Sequence, residues 1–76
     1  MNDEPQTPKD VWALIERADE LVKYASNRDT KAAYEQARAT LERAATAART
    51  VPGAGALEEQ AARRLEDLKR LEEATG

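Results

Sequence analysis

The sequence predicts an all-α protein, a three-helix antiparallel bundle running up, down and up. Apolar residues recur at helical spacing in three stretches, two breaker segments divide those stretches, and both divisions are short enough to make successive helices antiparallel neighbours. Helices are expected at about 8–25, 30–50 and 56–74, in a single domain spanning 7–76 behind a disordered tail at 1–6.

The first helix carries the clearest signals. Thr7 is placed as its N-cap, Pro8 occupies the first helical position, and Asp10 stands three after the cap, a capping box with Asp in place of Glu. Val11, Leu14, Ile15, Ala18, Leu21, Val22 and Ala25 form one amphipathic stripe, while Glu16, Arg17, Asp19, Glu20 and Lys23 take the other face. Trp12 falls one position off the stripe. Two readings of it stay open: a cover over the end of the bundle, or an anchor for a partner.

Ser26 to Asp29 reads as a tight connection. Asn27 tolerates the left-handed conformation that ends a helix, and Ser26 or Asp29 can cap the next one. Tyr24 and Tyr34 flank this connection and are expected to pack across the hairpin with their hydroxyls at the surface.

The second helix is rich in alanine, at positions 32, 33, 37, 39, 44, 45, 47 and 48. Its only large apolar residues, Tyr34 and Leu41, share a stripe with Ala37, Ala44, Ala45 and Ala48. Small residues on several sides allow close approach from several sides, so this helix is placed between the other two. Ala39 and Ala47 are expected to face water. Val51-Pro52-Gly53-Ala54-Gly55 then breaks the helical pattern, and without a basic residue or a Gly-Lys-Ser/Thr run it is not a phosphate-binding loop.

In the third helix the stripe is Leu57, Ala61, Leu65, Leu68 and then Leu71 or Glu72. Glu58 and Glu59 suit the first turn, and Glu59–Arg63 and Glu66–Arg70 are favourably oriented i,i+4 pairs. Leu65, Leu68 and Leu71 step by three, so the stripe drifts, and either Leu65 or Leu71 is expected to be partly exposed.

Composition narrows the function. Of 31 hydrophobic residues 16 are alanine, leaving fourteen large apolar side chains besides Met1 for the whole core. At roughly 1.5–3 kcal/mol for each fully buried one, these barely offset the ordering entropy of the chain, so a surface that binds a partner or another copy is physically plausible. There is no Cys and no His, which removes disulfides, thiolate chemistry, the commonest general base and the commonest transition-metal ligand. Glu58-Glu59, Glu66-Asp67 and Glu72-Glu73 fall on outer faces, without the Glu-x-x-His elements of a helical di-metal site. No catalytic residue, metal ligand, cofactor or small-molecule substrate is expected, and the protein is read as non-enzymatic.

The net charge of −3 disfavours nucleic acid, and no apolar run approaches membrane-spanning length. The acidic start, Met1-Asn2-Asp3-Glu4-Pro5, is unlike a signal peptide, and a cytoplasmic protein is expected. Richness in Ala, Arg and Glu suggests a GC-rich bacterial genome. Residues 30–50 carry four basic and two acidic side chains, and residues 57–76 four basic and six acidic. These are read as solvated faces or, alternatively, as opposite biases that help two helices dock.

Two resemblances attach to particular residues. Tyr34-x-x-Ala37-x-x-x-Leu41-x-x-Ala44 resembles the second helix of a tetratricopeptide repeat. Over residues 10–74 the chain is similar to the microtubule-interacting and transport (MIT) domain: Ala18-x-x-Leu21-Val22-x-x-Ala25, Asp29, Tyr34-x-x-Ala37 with Leu41, and Arg64-Leu65-Glu66-Asp67-Leu68. That family's third helix typically carries an Arg-Ala pair where Asp67 and Leu68 stand here. The resemblance therefore implies the three-helix architecture and helix-in-groove binding in general, without a particular ligand.

The expected function is a small protein–protein interaction module or adaptor that docks a helix or partner surface. Trp12, Leu65, Leu68 and Leu71 are the candidate partner-binding residues. The alternative is a self-associating structural subunit, or a small acidic regulator of antitoxin or inhibitor type. The partner is another protein or a second copy of the chain, not nucleic acid and not a membrane.

Overall fold

The computed structural model describes residues 4–25 and 29–75. Its elements are α1 (Pro8–Lys23), α2 (Thr30–Thr50) and α3 (Gly55–Thr75), in an antiparallel three-helix bundle. All three lie within two residues of the bounds expected from periodicity.

α1 starts where its capping chemistry dictates. The Asp10 N–H donates to Thr7 Oγ1 at 3.2 Å, and Asp10 Oδ2 accepts from the N–H groups of Thr7 at 3.2 Å and Gln6 at 3.1 Å. The box thus closes with the shorter carboxylate and satisfies donors that a helix start leaves unpaired. Pro5, in the segment expected as a tail, is half-buried; residues 1–3 lie outside the described residues. α1 ends at Tyr24, its C-cap, whose N–H donates to Glu20 O at 2.9 Å. The expected cap at Asn27, and Ser26 as the alternative N-cap of α2, fall outside the described residues. Asp29 is the N-cap of α2, without a side-chain capping bond.

The segment between α2 and α3 is a compact turn rather than an exposed loop. Val51 and Ala54 are buried, Ala54 N–H donates to Val51 O at 3.1 Å, and Leu57 N–H donates to Ala54 O at 2.9 Å. Gly53 adopts φ +82°, and a Cβ added there would lie 3.5 Å from Pro8 Cγ. The start of α1 therefore abuts the α2–α3 turn, which sets the up-down-up order.

α2 is the central helix. It packs along both α1 and α3, whereas α1 and α3 meet only sparingly. The result is a flat molecule of 37 × 26 × 14 Å. The core holds Val11, Ile15, Ala18, Ala37, Leu41, Ala44, Ala47, Ala48, Val51, Ala54, Ala61 and Leu68. Seven of these twelve are alanine, and alanine lets helix backbones come close.

Two expectations about single residues are corrected here. Ala47, expected to face water, is in the core at 9% exposure, because the buried arc of α2 must face two neighbours and is correspondingly wide. Tyr24, expected to pack across the hairpin, is 72% exposed, because α1 ends beneath it and its ring lies by Lys23, Nζ to ring centre 5.4 Å. Tyr34 does pack against the core, and Ala39 is exposed as expected.

Candidate contact surface

The surface of interest lies where α1 and α3 run side by side. Trp12 follows Val11 on α1, one step off the buried line of Val11, Ile15 and Ala18, and so points sideways toward α3. It remains 37% exposed. The guanidinium of Arg64, from α3, sits over its ring at 5.6 Å, within range of a cation–π contact. The same guanidinium donates through Nε to both oxygens of Asp19 on α1, at 2.9 and 3.1 Å, and through Nη1 to the Gln60 side chain at 2.9 Å. One side chain thus joins α1 to α3 by ring, charge and hydrogen bond together.

Leu71 occupies the same side of α3. It is seven residues past Arg64, almost two helical turns, so both project along one line. Its 40% exposure follows from helix lengths. α1 has 16 residues against 21 in α3, and the two helices begin at the same end of the molecule. Leu71 is the seventeenth residue of α3 and stands just past the end of α1, on an overhang of about 7 Å.

The four candidate partner-binding residues do not form one surface. Leu68 is a core residue at 2% exposure and is withdrawn from the accessible set. Leu65 is half-buried against the core, on the α3 line of Glu58 and Glu72, both of which pair with arginines of α2. Trp12 and Leu71 remain, at opposite ends of the α1–α3 side with Arg64 between them. The stripe of α3 therefore continues to Glu72, which leaves Leu71 beside it and exposed.

Charge organises the other side of α3. Arg38 Nη1 donates to both carboxylate oxygens of Glu72, at 3.0 and 2.8 Å, and Arg49 pairs with Glu58. The basic bias of α2 and the acidic bias of α3 are thus used to dock the two helices. The i,i+4 pairs expected along α3 are not among these bridges, which all run between helices.

Sequence reasoning missed Arg64, although a signal for it exists. Leu57, Ala61, Arg64, Leu68 and Leu71 follow a 4-3-4-3 spacing, the rhythm of a helix facing a partner, with Arg64 its only polar member. What the sequence could not supply was the register of α1 against α3, which brings Asp19 and Trp12 to it.

Little on the molecule suggests chemistry. Among the described residues no three acidic side chains converge to hold a metal ion, and no helix is long and apolar enough to cross a membrane. The Asp10 carboxyl is held below its ordinary value, first by the Gln6 N–H, but its partners are those of a helix cap. No protein-family model, curated protein or solved structure matches this chain.

Proposed function

We propose that this protein is a non-catalytic protein–protein interaction module whose contact surface is the α1–α3 side around Trp12. One observation carries the reading. The largest side chain in the protein is left 37% exposed, with the Arg64 guanidinium 5.6 Å from the centre of its ring. An exposed tryptophan beside an arginine matches the residue types that dominate binding energy at interfaces. The likeness of the helical pattern to MIT domains points the same way, and a cytoplasmic setting accords with the lack of cysteine.

The test is comparative. Proteins that cross-link to the wild-type chain in its native host are identified by mass spectrometry beside those captured by Trp12→Ala. Trp12→Ala should remain helical by circular dichroism and lose the partner. A partner retained in full by folded Trp12→Ala would place the contact surface elsewhere.

A further inference from the structure

We infer that Arg64 is the specificity-determining residue of this surface: held over the Trp12 ring, it admits an uncharged apolar group of the partner and turns away a cationic one. That assignment rests on the α1–α3 side being the contact surface, and it states which partner chemistry the surface accepts.

An exposed indole attracts cations, because the face of its π-system is negative. The neighbours of Trp12 on α1 would strengthen that preference. Glu16 stands about one turn beyond it, and Glu16, Asp19 and Glu20 line the same shallow groove as the ring. Left to themselves, a tryptophan and these carboxylates would draw a lysine or arginine from a partner. Two cations of α1 share the groove, but neither is aimed at the ring. Arg17 projects about 140° around the helix from Trp12. Lys23 lies over the ring of Tyr24 instead, at 5.4 Å.

Arg64 fills the cation's place from within the molecule. Its guanidinium lies over the Trp12 ring at 5.6 Å. Nε donates to both oxygens of Asp19, while Nη1 donates to the Gln60 side-chain oxygen at 2.9 Å and to the Gln60 carbonyl at 3.3 Å. Asp19 and Gln60 are thus positioning residues, which hold the cation where a partner's cation would otherwise go. The Arg64 side chain is 27% exposed, against 45% for Arg38 and 67% for Arg49, so solvent screens its charge less than theirs. A second cation brought to the ring meets this one, and like charges set together across an interface are costly. An apolar side chain meets no such penalty and can pack on the ring and on the stem of Arg64. Discrimination of this kind comes from what the site repels as much as from what it attracts.

The test uses iodide and caesium, an anion and a cation that both quench indole fluorescence, at constant ionic strength. Neutral acrylamide serves as the measure of exposure. Trp12 is the only tryptophan, so every reading comes from it. Relative to free N-acetyltryptophanamide, the wild-type chain should favour iodide over caesium, although its net charge is −3. Arg64→Met should lower the iodide-to-caesium ratio about threefold, after normalisation to acrylamide, which is the order expected for removing one screened charge at this distance. Helicity should be retained. Arg64→Lys keeps the charge but lacks the planar fork that reaches Asp19 and Gln60 together, so its ratio should lie nearer to Arg64→Met than to the wild type. A wild-type chain that favours caesium overturns the assignment without any substitution. A ratio unchanged in Arg64→Met, or one nearer to the wild type in Arg64→Lys, overturns it as well. No partner is present in these measurements, so their failure leaves the contact surface to its own Trp12→Ala test.

Discussion

Leu41→Ala tests the packing on which the whole arrangement depends. Leu41 is 2% exposed and is the only large aliphatic residue of α2. Its neighbours on the inward stripe, Ala37, Ala44, Ala45 and Ala48, have no rotamers to swing into a void. The cavity would therefore persist, and the loss should fall in the middle of the range for buried leucines, about 3–4 kcal/mol. A chain of this size has a total stability on the order of 4–11 kcal/mol, so this single change removes roughly a quarter or more of it. Urea unfolding followed by far-ultraviolet circular dichroism measures the loss, with Leu71→Ala as the comparison. Leu71 is 40% exposed, and its truncation should cost less than about 1 kcal/mol. The slope with urea should stay near the wild-type value if the compactness of both states is unchanged. A loss below about 1 kcal/mol at Leu41 would refute the placement of α2 at the centre.

Three further perturbations address the site and the ends of the helices. Arg64→Met keeps most of the apolar stem but removes the Asp19 pair and the cation–π contact. It should cost about 1 kcal/mol at low ionic strength and less in concentrated salt, and a cost indifferent to salt would rule out the ionic part. Asp10 has its folded-state carboxyl held below the ordinary value, so the native state binds fewer protons than the unfolded one. Its contribution is present above the ordinary carboxylate value and is lost as pH falls through the lower folded value. Asp10→Asn should flatten that part of an acid titration followed by helicity, and an unchanged titration would contradict the capping role. Gly53→Ala forces a side chain into φ +82° and should cost about 1 kcal/mol, whereas Gly55→Ala meets nothing within 4 Å at a helix start and should stabilise by about 0.5 kcal/mol, both read from thermal melts.

The helices were legible because their causes are local. The Thr7–Asp10 box, the first-helix stripe and the Pro52-Gly53 break each sit within a few residues, and each produced the element expected of it. The central position of α2 was legible too, since alanine on several sides has few other uses. What escaped was tertiary. Ala47 looks the same in sequence whether it faces water or a neighbour. Leu71 and Glu72 were equal claimants to one stripe until Arg38, thirty-four residues away, took the glutamate. Half of the candidate site was therefore visible: Trp12 by its size and offset, Leu71 by the drift of its stripe. Arg64, which joins Trp12 and Asp19 of α1 to α3, becomes visible only when α1 and α3 are laid side by side.

The central claim is that contact with a partner is made by α1 and α3 and not by the outward row of α2. The most direct measurement is a ¹H–¹⁵N correlation spectrum recorded without and with the partner that the wild-type chain captures. The predicted result is shift changes confined to the neighbourhood of Trp12, Arg64 and Leu71, including the single indole N–H. Changes concentrated at Ala32, Gln36, Ala39 and Arg43, all exposed on α2, would contradict it.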